Sequence, residues 1–326
     1  MRPEPFLLSP AGKDYLWGGT RLKTDFAKDL ALTPLAETWE CSTHPAGESR
    51  AASGPLAGQT LTKILEAHPE YLGTHPEKGR GLPVLIKLID ADRDLSIQVH
   101  PSDEYASVQE NGQRGKTEMW YVLDAAKDAS LIYGLSRSVD KETIRRAAED
   151  GTLTRYLQRV PVHRDDVFYV EPGTIHALGA GTLVAEVQQC SNLTYRLYDY
   201  DRVDKSGRKR PLHLDKALEV ADLRAAPAPR QPMRVLRYSC GMARELLCRC
   251  RYFEVYRMII NTERRQKVLY GADAGSFRVL LCVKGCGVAR FGNRYLDLCR
   301  GDCLFVPARS EEIQLSGLMT FLDIRG

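Results

Sequence analysis

Short apolar runs with polar residues at alternate positions dominate the chain. In LSIQVHP (95–101), the three aliphatic residues fall on one face of an extended strand, while Ser96, Gln98 and His100 fall on the other. The proline that follows ends the strand. A strand built in this way presents a polar face where a buried sheet would otherwise carry Ile, Leu and Val.

The same pattern recurs along most of the chain, in runs that are rich in β-branched and aromatic residues and bounded by Gly, Pro, Asp or Asn. The predicted strands are 83–89, 95–100, 118–123, 130–133, 167–171, 182–188, 193–200, 253–260, 277–283, 286–291, 294–298, 303–306 and 319–324. Helical periodicity is confined to 61–67, 139–150 and 213–221. The sequence therefore predicts a mainly β protein with a few helices.

A proline-rich segment interrupts this pattern. RAAPAPRQPMR (224–234) contains three prolines and no periodicity, as is typical of a linker. We therefore expect two domains, residues 1–226 with the helical segments and a smaller β domain of residues 233–326. An acidic turn, an apolar strand and a proline recur in 164–179 and 300–317, which suggests that the two domains are related β-barrels.

Composition and charge exclude several classes of protein. The net charge of +4 is small for 326 residues, and no Lys/Arg block is interleaved with aromatic residues, so we expect no nucleic-acid partner. We interpret RKR at 208–210 as a solvated turn. No apolar run approaches the ~20 residues of a membrane helix, and the N-terminus lacks a secretory signal, so we expect no membrane contact.

Cysteine usage indicates the compartment. The chain has nine cysteines and no C-x-x-C pair, and several of them lie in apolar strands. Such cysteines behave as small hydrophobic residues. We expect reduced thiols in a cytoplasmic protein.

Four segments direct polar side chains toward one interior. These side chains are Gln98 and His100, then Lys116 and Glu118 in GKTEMWYVL, His176 in EPGTIHALG, and Glu186 in LVAEVQQ. Two imidazoles and one carboxylate suit a divalent, zinc-like ion that keeps positions for water or substrate. A glutamine oxygen would be a neutral fourth ligand, so the site would stay net cationic and could polarise a carbonyl. No histidine follows His213, so only the first domain can carry a histidine-based site.

Lys87 stands inside the apolar run LPVLIKLIDA (82–91). Two interpretations remain open for it from the residues alone. It is either an edge residue whose charged end reaches water, or an inward residue that faces an anion.

These motifs resemble those of a known family. Gln-x-His, then Glu, then Pro-Gly-x-x-His resembles the two metal motifs of the cupin barrels, with glutamine in place of their first histidine. The longer segments LIKLIDADRDLSIQVHPSDEYA, GKTEMWYVLDA, FYVEPGTIHALGAGTLVAEVQQCSNLTYRLYDYDR and YLWGGTRL…AETWECSTHPAGES are similar to the short bacterial form of type I mannose-6-phosphate isomerase. The resemblance covers nearly all of residues 10–220 and is weaker beyond 230. Asp165-Asp166, where the family usually has Gly-Asp, is a departure from its pattern, and Glu171 is another.

The resemblance implies a cupin-type β-barrel (jelly roll) with a second, smaller cupin-like domain that binds no metal. It implies an enzyme that takes a small-molecule sugar phosphate, interconverts mannose 6-phosphate and fructose 6-phosphate, binds one Zn²⁺ per chain, and is a monomer or homodimer. The residues that it implies for the site are the zinc ligands Gln98, His100, Glu118 and His176, the catalytic arginine Arg196, and Lys116 and Glu186 beside the sugar.

Aldose–ketose isomerisation moves a proton between C1 and C2 through an enediol, and charge builds on the carbonyl oxygen. Three groups remain candidates for the general base: Glu186, Lys116 and a water held by the metal. Arg196 is always charged, so we assign it to stabilising the enediolate. It lies ten residues after Glu186, a spacing that suits two adjacent strands joined by a short turn near Ser191-Asn192. Lys87, with help from Ser96, is the candidate for contact with the phosphate.

Two other functions fit the same ligand set. One is a cupin oxygenase that uses iron, and the other is a non-catalytic cupin that binds a sugar phosphate. The presence of Arg196, Lys116 and Glu186 together favours the enzyme, because a binding protein needs no base.

Overall fold

The structure is a computed structural model that describes residues 2–203 and 207–326. Its first strands are β1 (Phe6–Ser9), β2 (Ala11–Lys13), β3 (Glu37–Cys41), β4 (Arg50–Ala51), β5 (Val84–Ala91), β6 (Ile97–Val99), β7 (Glu118–Ala125), β8 (Ser130–Leu135), β9 (Leu157–Pro161), β10 (Val167–Val170), β11 (His176–Leu178), β12 (Thr182–Gln189) and β13 (Tyr195–Tyr198). The later strands are β14 (Arg237–Ser239), β15 (Met242–Arg249), β16 (Glu254–Asn261), β17 (Val268–Tyr270), β18 (Arg278–Phe291), β19 (Arg294–Cys299), β20 (Cys303–Val306) and β21 (Ile313–Arg325). The helices are α1 (Arg21–Thr24), α2 (Leu61–Ala67), α3 (Asp103–Gln109), α4 (Lys141–Glu149) and α5 (Leu214–Val220), with 3₁₀ turns at Gly54–Leu56, Pro69–Leu72 and Leu153–Tyr156.

The expected mainly β fold is confirmed, and each predicted strand overlaps an observed one. The prediction of α2 is correct at both ends, whereas 277–283 and 286–291 are parts of the single strand β18. In the part of the chain that the structure describes, sequence patterns missed the helices α1 and α3 and nine strands, which are β1, β2, β3, β4, β9, β11, β14, β15 and β17. The signal for α3 was present, because the Ser102 side chain accepts a hydrogen bond from Tyr105 N and acidic residues occupy the first turn. Among the described residues, no helix has the length and apolar character needed to cross a membrane.

The strands form three antiparallel sheets. Their orders are β10-β7-β12-β5-β3-β2, β13-β6-β11-β8-β9 and β14-β15-β16-β21-β18-β20-β1-β4, with β17 on β21 and β19 on β18. From β5 to β13 the chain alternates between the first two sheets, except that β8 and β9, which are connected through α4, both lie in the second sheet. Residues from both sheets, among them Ile89, Trp120, Leu131 and Leu178, fill the space between them. Residues that are distant in sequence therefore face one another across this interior.

The other face of the first sheet packs on the third. One core cluster joins Leu88 and Met119 of the first sheet to Leu281, Phe305 and Leu322 of the third. In addition, β1 pairs with β20, so the N-terminal strand belongs to a sheet that is otherwise formed mainly by residues after 236. The segment between α5 and β14 contains no helix or strand, as the linker prediction expects. The division into residues 1–226 and 233–326 stays a prediction.

The turn before β10 explains one departure from the family pattern. Asp165 has a φ of 71°, a left-handed conformation that favours glycine. Its carboxylate accepts a hydrogen bond from the Tyr121 hydroxyl and lies 3.2 Å from Arg257 Nη1. These contacts hold the aspartate in place and join the turn to β16.

Candidate metal centre and active site

Three of the predicted ligands converge in the interior. His100 follows β6, Glu118 begins β7 in the opposite sheet, and His176 begins β11 beside β6. All three are buried, and their ligand atoms lie within 4.8 Å of one another. Glu118 Oε1 is 3.2 Å from His176 Nε2, and Glu118 Oε2 is 3.5 Å from His100 Nε2. Strand alternation between the two sheets thus produces the group that the sequence pattern suggested.

The chemistry of this group fits a divalent cation. Both ring nitrogens of His100 and both carboxylate oxygens of Glu118 are buried with no hydrogen-bond partner of good geometry among the described residues. Such atoms are costly to bury unless something else binds them. His176 Nδ1 lies 2.8 Å from Thr174 O, which leaves Nε2 as the ligand atom.

Protonation states agree with this interpretation. Burial, followed by the charge of Lys116, lowers the pKa of His100 to about 3, so the imidazole is neutral. Burial would raise the pKa of Glu118, but Lys116 and the two histidines outweigh it and hold the pKa well below its ordinary value. Two neutral imidazoles and one carboxylate remain, which is a donor set that zinc and iron both accept.

Gln98 lies at the edge of this group. It is directly opposite His176 in the register of β6 and β11, and its amide nitrogen is 3.4 Å from His176 Nε2. The amide therefore faces the same space as the three ligand candidates. Its role as a fourth ligand stays a prediction.

A single pocket brings together the remaining predicted residues. Its lining includes Lys87, Ser96, Gln98, Lys116, Glu186 and Arg196. Lys116 Nζ is 3.0 Å from Glu118 Oε2, so the pocket adjoins the metal-ligand group.

Of the two interpretations left open for Lys87, the structure supports the inward one. It is 4% exposed, and its Nζ lies 3.0 Å from Glu186 Oε1 and 3.8 Å from Glu37 Oε2. Burial would lower the pKa of Lys87, but these carboxylates raise it above its ordinary value. Trp120 Nε1 also donates a hydrogen bond of 2.8 Å to Glu186 Oε2. The charge of Lys87 is therefore already balanced inside the pocket.

Arg196 has no such balance. Its Nε is buried without a hydrogen-bond partner among the described residues, and Asp199 is bound by Arg202 and Arg210 instead. Burial, and then the charge of Arg210, lower the pKa of Arg196. The ten-residue spacing from Glu186 suggests adjacent strands, but this prediction is wrong, because β12 and β13 lie in different sheets. The two residues line the pocket from opposite sides.

Sequence patterns missed Arg210. RKR at 208–210 is interpreted above as a solvated turn, yet Arg210 lines the pocket and its side chain is 28% exposed. Its Nε and Nη2 donate hydrogen bonds of 2.8 and 2.6 Å to Asp199. The segment carries no strand or helix periodicity, so nothing in the pattern indicates which way Arg210 points.

Comparisons with known proteins agree with this geometry. Residues 6–127 match the family model "Phosphomannose isomerase type I, catalytic domain". The chain is 37% identical over 317 residues to mannose-6-phosphate isomerase ManA of Bacillus subtilis, which covers 97% of each chain. The chain belongs to the type I mannose-6-phosphate isomerase family.

Two further relatives support this membership. Probable mannose-6-phosphate isomerase GmuF of Bacillus subtilis is 47% identical over 216 residues, which is 66% of this chain and 68% of the relative. The crystal structure of a Bacillus subtilis mannose 6-phosphate isomerase superimposes with a TM-score of 0.90 at 34% identity, covering 99% of this chain and 100% of the other. The family expected from the sequence motifs and its cupin-type fold class are confirmed.

Proposed function

We propose that the protein is a zinc-dependent aldose–ketose isomerase that interconverts mannose 6-phosphate and fructose 6-phosphate through an enediol. The observation that carries this proposal is the buried His100–Glu118–His176 group. It adjoins a pocket that is lined by charged side chains, among them Lys116, Glu186 and Arg196. The name of a full-length relative supplies mannose 6-phosphate as the substrate, and fructose 6-phosphate is the corresponding ketose.

The proposed ligands are His100, Glu118 and His176, with Gln98 as the fourth and one Zn²⁺ per chain. When bound, the ion supplies Lewis acidity that polarises the sugar carbonyl. The ligand set accepts iron as well, so the choice of zinc rests on the family resemblance and not on geometry.

Different pocket residues are suited to proton transfer and to stabilising the charge that develops on the substrate. Lys116 Nζ lies 3.0 Å from Glu118 Oε2, and this ion pair holds it beside the metal-ligand group. We assign Lys116 to donating toward a substrate oxygen. Glu186 is a carboxylate in the pocket wall that Trp120 and Lys87 hold in place. We therefore assign proton transfer between C1 and C2 to Glu186, and stabilisation of the enediolate to Arg196 together with Lys116.

Charge balance indicates where the phosphate binds. Among the described residues, Arg202 and Arg210 are both paired with Asp199, and Arg196 interacts electrostatically with the same carboxylate. This end of the pocket therefore carries excess positive charge and suits a dianionic phosphate. We propose Arg210 as the principal phosphate contact, since it lies at the pocket wall in a fixed orientation.

The earlier phosphate candidates then have a smaller role. Ser96 lines the same pocket and can donate a hydroxyl hydrogen bond. Lys87 also lines it, but two carboxylates already balance its charge. We propose that Lys87 orients Glu186.

The decisive experiment is a coupled isomerase assay with mannose 6-phosphate, before and after treatment with a chelator, alongside metal analysis. Wild-type protein should convert the substrate, lose activity on chelation and recover it with Zn²⁺. His176→Ala should lose most bound metal and nearly all activity while it remains folded, because a buried ligand is removed.

The matched control is His163→Ala, which changes an exposed histidine in a turn. It should retain metal and activity. Oxygen uptake without isomerase activity would instead indicate the iron oxygenase. Binding of fructose 6-phosphate without exchange of its C1 proton with solvent would indicate the non-catalytic cupin. A full equivalent of metal in His176→Ala would contradict the ligand assignment.

We also propose that residues 233–326 act as a structural companion with no metal of their own. The three-residue group found in the described part of the chain lies entirely before this region. None of the residues that line the pocket comes from it.

A further inference from the structure

Two exposed cysteines face each other on neighbouring strands of the third sheet. Cys286 of β18 and Cys299 of β19 are direct partners in the antiparallel ladder, and the side chains of both are exposed. β19 pairs with β18 at the margin of the sheet. The metal-ligand group and its pocket use neither residue.

The register of this hairpin places the two thiols favourably. β18 and β19 are joined by the two-residue turn Gly292–Asn293, and the ladder runs from Phe291↔Arg294 to Cys286↔Cys299 without a shift. Gly292 has a φ of 50°, as the first central position of a type II′ hairpin turn requires. In such a hairpin hydrogen-bonded and non-hydrogen-bonded pairs alternate from the turn, so Cys286↔Cys299 is a non-hydrogen-bonded pair.

Backbone contacts of Cys299 confirm this assignment independently. Its amide donates a hydrogen bond of 2.7 Å to Asp302 Oδ2, and its carbonyl accepts one of 2.9 Å from Asp302 N. Neither group is directed at Cys286. In a non-hydrogen-bonded pair the Cα atoms lie about 4.5 Å apart and the side chains approach most closely, which is within the range that a disulfide spans.

The two thiols also interact with each other. A hydrogen bond with Cys286 is the main cause that raises the pKa of Cys299 to about 11. The raised pKa disfavours the thiolate of Cys299, so we assign the first attack to its ladder partner.

We propose that Cys286 and Cys299 form a reactive dithiol that closes reversibly into a cross-strand disulfide by exchange with small-molecule disulfides such as oxidised glutathione. The Cys286 thiolate attacks one sulfur of the small disulfide, forming a mixed disulfide and releasing one small thiol. Cys299 then gives up its proton and attacks the Cys286 sulfur, which releases the second small thiol. Two protein thiols are oxidised and one small disulfide is reduced to two thiols.

As a consequence, small-molecule adducts on either of these two cysteines do not persist. A mixed disulfide at Cys286 is resolved by its ladder partner, and the closed disulfide joins β19 covalently to β18. Cys240 provides an internal comparison, because it is exposed in the turn between β14 and β15 and has no cysteine as a ladder partner among the described residues.

Incubation of the reduced full-length protein with oxidised glutathione, followed by peptide mass mapping, tests the proposal. We expect a Cys286–Cys299 disulfide in the wild type, while Cys240 carries glutathione. We also expect amide hydrogen exchange in Arg294–Cys299 to slow several-fold, and dithiothreitol to reverse both changes.

Cys299→Ser and Cys286→Ser are the matched variants, each at an exposed position that tolerates serine. In each, the remaining cysteine should retain glutathione as a stable adduct, because the resolving thiol is missing. Persistent glutathione on Cys286 or Cys299 in the wild type would overturn the proposal. So would the absence of the disulfide under conditions in which Cys240 reacts. The test needs no sugar substrate, so its result is independent of the proposed isomerase activity.

Discussion

Arg196 and Arg210 line one pocket but are held in different ways. Arg196 Nε has no partner among the described residues, whereas Arg210 is fixed by two hydrogen bonds to Asp199. An unpartnered guanidinium is available for charge that appears only during the reaction. A fixed one is suited to a charge that the substrate carries throughout.

Replacement of Arg196 should therefore affect the chemical step. Arg196→Ala should lower kcat by at least ~100-fold, the scale of losing one preorganised electrostatic donor, and should raise KM far less. Arg196→Lys should restore activity only in part, since an ammonium lacks the planar, two-pronged contact. Metal content should not change. Steady-state kinetics and metal analysis of Arg196→Ala test this role. A near-normal kcat, or a loss of metal as the only defect, would show that Arg196 takes no part in the chemical step.

Replacement of Arg210 should mainly affect binding. A hydrogen bond to a charged group contributes ~1.5–3 kcal/mol, so Arg210→Met should raise KM for mannose 6-phosphate by roughly 10- to 100-fold with a smaller change in kcat. Inhibition by inorganic phosphate should weaken in parallel. Arg210→Lys should recover part of both.

Lys209→Met is the control for Arg210→Met. It removes the neighbouring positive charge from an exposed pair with Asp201 that does not line the pocket. Its kinetics should match the wild type. If inhibition by phosphate weakened in Lys87→Met but not in Arg210→Met, Lys87 and not Arg210 would be the phosphate contact.

The metal-ligand group could be predicted from local patterns because each member has a local signal. Strand alternation brings Gln98 and His100 to the same side, and a Pro-Gly turn precedes His176. Arg210 has no such signal. Its direction depends on a hydrogen bond to Asp199, 11 residues earlier in the chain, and a single sequence does not reveal such a contact.

At the level of elements, the sequence indicates strands better than it indicates their partners. The turn between β12 and β13 is short enough for a hairpin, yet the two strands enter opposite sheets. Alternation of apolar residues records which face of a strand is buried, but not which strand lies beside it. This is why the spacing of Glu186 and Arg196 predicted the wrong neighbouring strand, although both residues line one pocket.

One glycine of β18 offers a test at the same scale. Gly285 has a φ of 78° next to a register shift, and a Cβ added there would lie 1.9 Å from Leu318 O. Gly58 has a φ of 85° in an exposed turn and nothing within 4 Å of an added Cβ. Substitution at Gly285 thus adds a backbone clash to the conformational cost that both positions share.

Gly58→Ala should lower the free energy of unfolding by about 1–2 kcal/mol, the cost of a left-handed conformation for a residue with a side chain. Gly285→Ala should lower it by roughly 3 kcal/mol or more, as severe steric substitutions do. Denaturant unfolding of both variants measures the difference. Equal losses would show that β18 relaxes around the new methyl group.

At the level of the whole molecule, long-range contacts join the two predicted domains. β1 pairs with β20, Lys28 donates a hydrogen bond to Gly301 O, and Tyr252 donates one of 2.7 Å to Asp103. The proline-rich linker could be predicted from composition. The return of the N-terminal strand to the distant sheet could not, because pairing between residues almost 300 positions apart leaves no local pattern.

These contacts predict that the molecule unfolds as one cooperative unit. The three tryptophans, Trp17, Trp39 and Trp120, all precede the linker, so tryptophan fluorescence reports on the first predicted domain alone.

Phe321 is buried in a separate core cluster within the third sheet. Phe321→Ala should lower the free energy of unfolding by about 3–5 kcal/mol, as large-to-small core substitutions do. The free energy of unfolding should fall by the same amount whether it is measured by tryptophan fluorescence or by hydrogen exchange in β18, because the shared sheet and core couple the two regions. A tryptophan transition that stayed at its wild-type midpoint would show instead that residues 1–226 unfold independently.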